Sequence, residues 1–236
     1  MGIGLPASVF EDTKSRLFAL GSRVELSRFD DAHGLVKSLL EGEIDAAIRG
    51  MMNSVESLRE LRSAFRVDQV MRTALLEDYS ARPFLLAPVG IDEGTTYDSR
   101  LSLVQHTLRY FSSIGWRLDV GILSKGRIED KNRGNDIKES IVEGAKMAEQ
   151  LTSEGHNARH FAILVEDAVK KSELVVAPDG VTGNLMFRTL HFVGGRKAYG
   201  APVVNIPKVF IDTSRAKTDF TDAVLLGAGL FKNKSG

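Results

Sequence analysis

Four short stretches combine cations, hydroxyls and carboxylates with tight turns: RGMMNSVESLR after residue 48, LSKGR after 122, PDGVTGN after 177 and DTSRAKTDFTD after 211. In the third, the apolar run Leu174 to Ala177 stops at Pro178, and Asp179-Gly180 and Gly183-Asn184 precede an apolar-patterned segment ending at Gly194-Gly195. A strand that turns into a helix exposes unpaired N–H groups at the helix start, and these favour an anion together with the helix dipole. Gly183 removes a side chain where a ligand or a neighbouring strand must come close. Asp179 and Asn184 can equally cap the turn and the helix. Ser214-Arg215 sets a hydroxyl beside a guanidinium, a pair suited to bidentate contact with phosphate. Asp219 and Asp222 follow as candidate general bases, or as first-turn acids of a helix capped by Thr218 or Asp219. Near residue 50, Asn53 and Ser54 can donate to a phosphate and Arg59 can supply charge. The alternative makes Ser54 a helix cap and leaves Arg59 on the solvent face.

Other chemistries find less support. His156 and His160 have a spacing that can share a metal on a helix, but Gly155 and Asn157 imply a loop and no third ligand follows, so no metal site is expected. Gly227-Ala228-Gly229 lies too late to open a dinucleotide-binding βαβ unit, and no P-loop is present. Trp116 reads as packing. The chain has no cysteine, which removes thiolate metal sites, cysteine nucleophiles and disulfides, and fits a cytoplasmic protein. Its 31 basic and 31 acidic residues balance, so no broad nucleic-acid footprint is expected. No apolar run approaches the roughly 20 residues that span a bilayer, and the N-terminus lacks a signal-peptide pattern.

The elements that must position these residues alternate along the chain. The opening MGIGLP reads as a short strand followed by a turn. Asp30-Asp31 opens a helix with Leu35, Val36, Leu39 and Leu40 at helical spacing before Gly42, and Ile44 to Ile48 reads as a strand. Helices are expected over Val55 to Phe65, from Leu101 to Phe111, from Ile137 to Leu151 and over Phe220 to Leu230. Strands are expected at Phe84 to Ala87, Leu118 to Leu123, Phe161 to Val165 and Leu174 to Ala177, and Val203 to Ile211 as an extended stretch. Residues 124–136 form a charged loop. Strands apolar on both faces, alternating with helices, imply an α/β fold in three layers with a mostly parallel sheet. Ligands of such sheets bind beyond the carboxyl ends of the strands, where all four stretches fall.

Three segments in order, EGEIDAAIRGMMNSVESLREL (41–61), SELVVAPDGVTGNLMFRTLHFVGGRKAYGAPVV (172–204) and TSRAKTDFTDAVLLGA (213–228), resemble the phosphotransacylase family of phosphate acetyl- and butyryltransferases. The chain is more closely similar to the MtxX branch found in methanogens, labelled a methyltransferase subunit. The resemblance implies an isocitrate/isopropylmalate dehydrogenase-like fold, two lobes around a cleft, with residues 1–82 and 203–236 in one lobe and 83–202 in the other. It also implies an anionic substrate, coenzyme A or a similar phosphorylated ligand, a homodimer, and acyl transfer between coenzyme A and phosphate. Asp222, Arg215, Ser214 and Arg59 would then be catalytic, and Asn53, Ser54, Asp179, Gly183 and Asn184 would bind the ligand. The alternatives it leaves open are a methyltransferase subunit acting with a corrinoid or methyltransferase partner, and a non-catalytic ligand-binding protein. The chain departs from the family in carrying Asn53 where members have His, and Ile91-Asp92-Glu93-Gly94 where they have an Asn-Pro-rich loop.

Overall fold

The computed structural model describes residues 1–234. Along the chain run β1 (Gly2–Ile3), α1 (Ala7–Ala19), β2 (Ser27–Arg28), α2 (Ala32–Glu41), β3 (Ala46–Ile48) and α3 (Ser54–Phe65). Next come β4 (Ala74–Glu77), β5 (Pro83–Ala87), α4 (Tyr97–Ser112), β6 (Val120–Leu123), α5 (Asn135–Ser153), β7 (Ala158–Ala162) and α6 (Val165–Lys171). The chain continues through β8 (Leu174–Val176), α7 (Gly180–Arg188), β9 (Ala198–Pro202), β10 (Val209–Asp212) and α8 (Thr221–Lys234). It divides into two compact units, Met1–Val70 with the segment from Tyr199 on, and Met71–Ala198.

In the first unit the strand order is β2-β1-β3-β10-β9, parallel except for β9 against β10. Leu35, Val36 and Leu39 of α2, Leu61 of α3 and Phe210 of β10 meet in its core. The apolar spacing of α2 produces that buried stripe. Asp31 starts the helix by accepting from Gly34 N at 2.8 Å, and Gly42, at φ +80°, ends it in the left-handed conformation that glycine adopts without penalty.

The second unit has the order β4-β5-β8-β6-β7, with β4 antiparallel to β5 and the rest parallel. Leu85, Leu86, Leu174 and Val175 are fully buried, which is why these runs are apolar at every position. Trp116 packs edge-on against Phe111 of α4, with ring centroids 5.3 Å apart.

The α/β class and the largely parallel pairing agree with the alternating pattern, and four local readings change. The opening does not simply turn: α1 follows, with Phe10, Thr13 and Leu17 as its buried face. A threonine in the middle of that face breaks the apolar periodicity. The strand expected at Phe161 to Val165 is β7, Ala158–Ala162, which stands at the end of its strand order and tolerates the polar Arg159 and His160. The extended stretch from Val203 to Ile211 is the bend and second arm of a hairpin: Ala198–Pro202 is the first arm, and Val203 N donates to Phe210 O at 2.9 Å. Finally, Gly183-Asn184 is no turn, since α7 starts at Gly180 and both residues lie inside it.

The glycines of α7 have a packing reason. A Cβ on Gly180 would stand 1.9 Å from Gly90 O, and one on Gly183 would stand 1.9 Å from Pro88 O. The helix therefore rests directly on the backbone that follows β5. Gly183→Ala is expected to lower unfolding stability by about 1–3 kcal/mol, the usual cost of overpacking. Urea denaturation measures it, and an unchanged midpoint would mean that the helix does not rest on this loop.

Candidate functional site

In the first unit the carboxyl ends of β1, β3 and β10 come together. Gly50 sits at φ +64°, and a Cβ there would lie 2.1 Å from Gly4 O. Met51 N donates to the same Gly4 O at 2.8 Å. Arg49, 4% exposed, points its Nε at the carboxylate of Asp212, 8% exposed, and donates from Nη1 to Met52 O at 2.6 Å. Asp212 also accepts from Thr213 N at 3.0 Å, and Thr213 Oγ1 donates to Gly50 O at 2.8 Å. A buried ion pair is tolerated when further hydrogen bonds satisfy both ions, and these two are supplied from both strand ends. The pair joins the segment carrying Asn53 and Ser54 to the one carrying Ser214 and Arg215.

Asn53, rather than Ser54, caps α3, its Oδ1 accepting from Val55 N at 2.9 Å and Glu56 N at 3.3 Å. Asn53 is exposed, and its amide N–H₂ remains a donor. Ser54 opens the helix, and Arg59, exposed farther along it, lies 3.2 Å from Glu60 Oε1. After β10, Ala216 N donates to Ser214 Oγ at 3.2 Å and Lys217 N to Ser214 O at 3.1 Å. This tight turn presents Arg215 to solvent, with no ion pair or hydrogen bond among the described residues. Asp219 is engaged by Arg16 Nη1 at 3.2 Å and Thr221 N at 2.8 Å. Burial works against its ionisation, but the Thr221 bonds and the charges of Arg16 and Lys217 hold its carboxyl below the ordinary value. Asp222 stands half-buried in the first turn of α8.

In the second unit Asp179 caps α7. Its Oδ1 accepts from Thr182 N at 2.7 Å, and its Oδ2 lies 3.4 Å from Lys125 Nζ. Burial opposes this carboxylate too, yet the Thr182 bonds and Lys125 keep its pKa depressed. Asn184 Nδ2 donates to Val89 O at 2.8 Å, tying α7 to the loop after β5. That loop is pinned from the other side by Glu93, 1% exposed, which accepts from Arg72 Nε at 2.6 Å and Gly90 N at 3.0 Å. Burial pushes the Glu93 carboxyl up against the pull of Arg72. Lys125 follows the buried Ser124, whose Oγ donates to Gly126 O at 3.0 Å and lies 2.9 Å from His160 Nε2. Burial, with Lys131 nearby, pushes the His160 imidazole pKa down.

The expected site residues thus fall into two sets. Asn53, Ser54, Arg59, Ser214, Arg215 and Asp222 belong to the first unit, and Asp179, Gly183 and Asn184 to the second. Within the first unit the two segments are joined at their roots, while Arg59 is drawn to Glu60. Reading the sequence singled out the stretches that hold Arg49, Ser124, Lys125 and Asp212 but gave none of these four a role. Arg49, Ser124 and Lys125 stand immediately after strands and Asp212 is the last residue of one, and that position was the available signal. Among the described residues, no cluster of three or more His, Asp or Glu could hold a metal, and no helix is long and apolar enough to cross a membrane.

No family model matches the chain. Among solved structures, a branched-chain phosphotransacylase from Enterococcus faecalis superposes with a TM-score of 0.71 at 13% identity, covering 98% of this chain and 99% of that one. A phosphotransacetylase from Streptococcus pyogenes gives 0.60 at 14% identity, covering 96% and 84%. The fold is therefore phosphotransacylase-like. A Methanosarcina acetivorans protein described as "Putative methyltransferase mtx subunit X" is 38% identical over 229 residues, 97% of this chain and 82% of the relative. A Methanopyrus kandleri protein described as an uncharacterized methyltransferase is 37% identical over 212 residues, 87% and 82%. The chain belongs to the family of these archaeal proteins.

Two measurements check the electrostatics. Asp212→Asn should destabilise the protein by about 3–5 kcal/mol, because Arg49 is left as an uncompensated buried charge, whereas a well-packed apolar replacement of both residues should recover much of the loss. Equal stability of Asp212→Asn and wild type in guanidinium would rule the clamp out. For Asp179 the folded-state pKa is depressed, so its contribution is complete above the ordinary value of 3.8 and disappears as the pH falls through the lower folded value. The stability gap between wild type and Asp179→Asn should be constant near neutral pH and close in acid. A gap independent of pH would contradict this.

Proposed function

We propose that this protein is a transferase that binds a phosphate-bearing ligand, coenzyme A or an acyl phosphate, at the carboxyl ends of β3 and β10. One observation carries the reading: a solvent-facing guanidinium with no counter-ion among the described residues, Arg215, rises from a turn whose root is held by the buried Arg49–Asp212 pair. A cation so placed meets an incoming anion without first leaving a carboxylate. Ser214 adds a hydroxyl, Asn53 its amide and Ser54 a second hydroxyl, all suited to phosphoryl oxygens. Arg59, shared with Glu60, adds longer-range attraction. In the second unit Gly183 and Asn184 set α7 against the loop after β5, which fixes where Asp179 and its partner Lys125 stand.

For acyl transfer, Asp222 takes the thiol proton of coenzyme A, and the sulfur attacks the acyl carbonyl carbon. Arg215 and Ser214 stabilise the resulting oxyanion, and the carbon–oxygen bond to phosphate breaks to give thioester and free phosphate.

The names of the relatives favour a second reading, a methyltransferase subunit, for which a corrinoid protein would be a candidate partner. A thermal-shift series with coenzyme A, acetyl phosphate, inorganic phosphate and cobalamin separates the two, because a ligand bound only to the folded form raises the midpoint. Coenzyme A or acetyl phosphate should raise it for wild type. Arg215→Ala should weaken that binding about tenfold or more, as for a lost charge-assisted bond, with its ligand-free midpoint unchanged. Indifference of wild type to all the anions would sink the proposal.

A further inference from the structure

The stretch LSKGR after residue 122 sets one exposed cation, Lys125, on backbone that is held on both sides. Ser124 N donates to Ala162 O at 2.7 Å, and Lys125 N donates to Ser140 Oγ of α5 at 3.1 Å. Gly126 is buried, and a Cβ there would stand 2.8 Å from Ile137 Cγ2. Ser124 is buried too, and its single hydroxyl proton goes to Gly126 O. The hydroxyl oxygen therefore faces His160 Nε2, 2.9 Å away, as an acceptor, so the imidazole carries a proton on Nε2. Helix α5 makes room for that ring with Gly144, one turn beyond Ser140: a Cβ on Gly144 would lie 2.8 Å from His160 Nε2.

Strand β7 is irregular where it delivers this histidine. Ile122 pairs with His160 but Leu123 pairs with Ala162, which leaves Phe161 as the extra residue of a bulge. Ala162 then takes φ +55°, a left-handed conformation that residues with a side chain rarely adopt. Bulges and strained residues of this kind concentrate beside functional sites. What they hold in place here is the contact of Lys125 Nζ with Asp179 Oδ2, 3.4 Å apart, between side chains 40% and 28% exposed. A pair so open to solvent contributes little stability. A strained alanine, a half-buried histidine and a glycine in mid-helix outweigh it.

We infer that Lys125 is a ligand-binding cation of the second unit, taking a phosphoryl oxygen, and that His160 is its positioning residue. The inference rests on the reading above for the phosphate-bearing nature of the ligand, and adds a contact outside the first unit. An ammonium has three N–H bonds. One is directed at Asp179, and the others have no partner among the described residues. Asp179 is itself held by Thr182 N, so it keeps the ammonium in place while leaving it donors to spare. Strands β6 and β8 are parallel neighbours, and Lys125 and Asp179 both follow their carboxyl ends, where ligands of such sheets bind. His160 acts through Ser124: without the imidazole donor, that hydroxyl loses what fixes its direction, and the bond that closes the loop at Gly126 is weakened.

The test measures dissociation constants of coenzyme A, acetyl phosphate and inorganic phosphate by calorimetry. It also follows the labelling of each lysine by deuterated N-hydroxysuccinimidyl acetate, read by mass spectrometry. Acetyl phosphate should slow the labelling of Lys125 several-fold and leave the exposed Lys14 unchanged. Lys125→Gln should weaken coenzyme A or acetyl phosphate about tenfold, as for a lost charge-assisted bond, with a nearly unchanged ligand-free midpoint. His160→Phe, which has no donor, should weaken them similarly, and so should Ser124→Ala, which removes the acceptor. His160→Gln, whose amide can still donate to Ser124, should retain most of the affinity. An unprotected Lys125, or an unchanged constant for Lys125→Gln, would overturn the inference. Equal affinities for His160→Phe, Ser124→Ala and His160→Gln would overturn the positioning role, whatever each does to stability. Binding weakened by Lys125→Gln but not by Arg215→Ala removes the first-unit site and leaves this one standing, and the converse removes Lys125 alone. Wild type that binds none of the three overturns both.

Discussion

The first unit depends on one buried contact between residues 163 positions apart, Arg49 and Asp212. Without it, two strands would end beside each other and their following loops would be free to choose separate paths. With it, the backbone at Met52, the amide of Thr213 and the carbonyl of Gly50 enter one hydrogen-bonded patch. Burying two charges is expensive unless both are satisfied, and that demand leaves few arrangements for either loop. The polar residues farther out, Asn53 on one side and Ser214 with Arg215 on the other, are placed by that restriction.

A comparable constraint of a different kind governs the second unit. There a helix meets bare backbone, because two glycines remove every side chain from the contact, and Asn184 and Glu93 then tie up the polar groups of the facing loop. Close approach and these hydrogen bonds fix the start of α7 against that loop. Its first turn holds the capping Asp179 in place.

What was legible in the sequence follows from these forces. Helices α2 and α3 could be read because apolar periodicity is a local signal, as is the capping Asp31 of α2, whereas the cap of α3 was placed one residue late, at Ser54; β5 and β8 could be read because strands buried on both faces must be apolar throughout. The hairpin of β9 and β10 was harder, since Ala198–Pro202 is short and follows two glycines, so the apolar run seemed to begin only at Val203. Helix α1 was hidden by the threonine in its buried face. At the site, Ser214-Arg215 stood out as adjacent residues of complementary chemistry. Arg49 and Asp212 did not, since each alone is an ordinary charged residue and only the fold makes them partners. Gly183 was rightly suspected of permitting a close approach, but the approaching group is the carbonyl of Pro88.

The discontinuity of the first unit has a consequence during synthesis. Strand β10 lies between β3 and β9 in its sheet, so β1 and β3 leave the ribosome well before the strand that covers their open edge. The intervening segment, Met71–Ala198, contains all of its own strands and emerges complete while that edge still waits. Domains generally fold as units during translation, so the middle of this polypeptide reaches its native form ahead of its beginning. Until β10 arrives, the early strands expose a hydrogen-bonding edge that a chaperone, or the nascent chain itself, must shield.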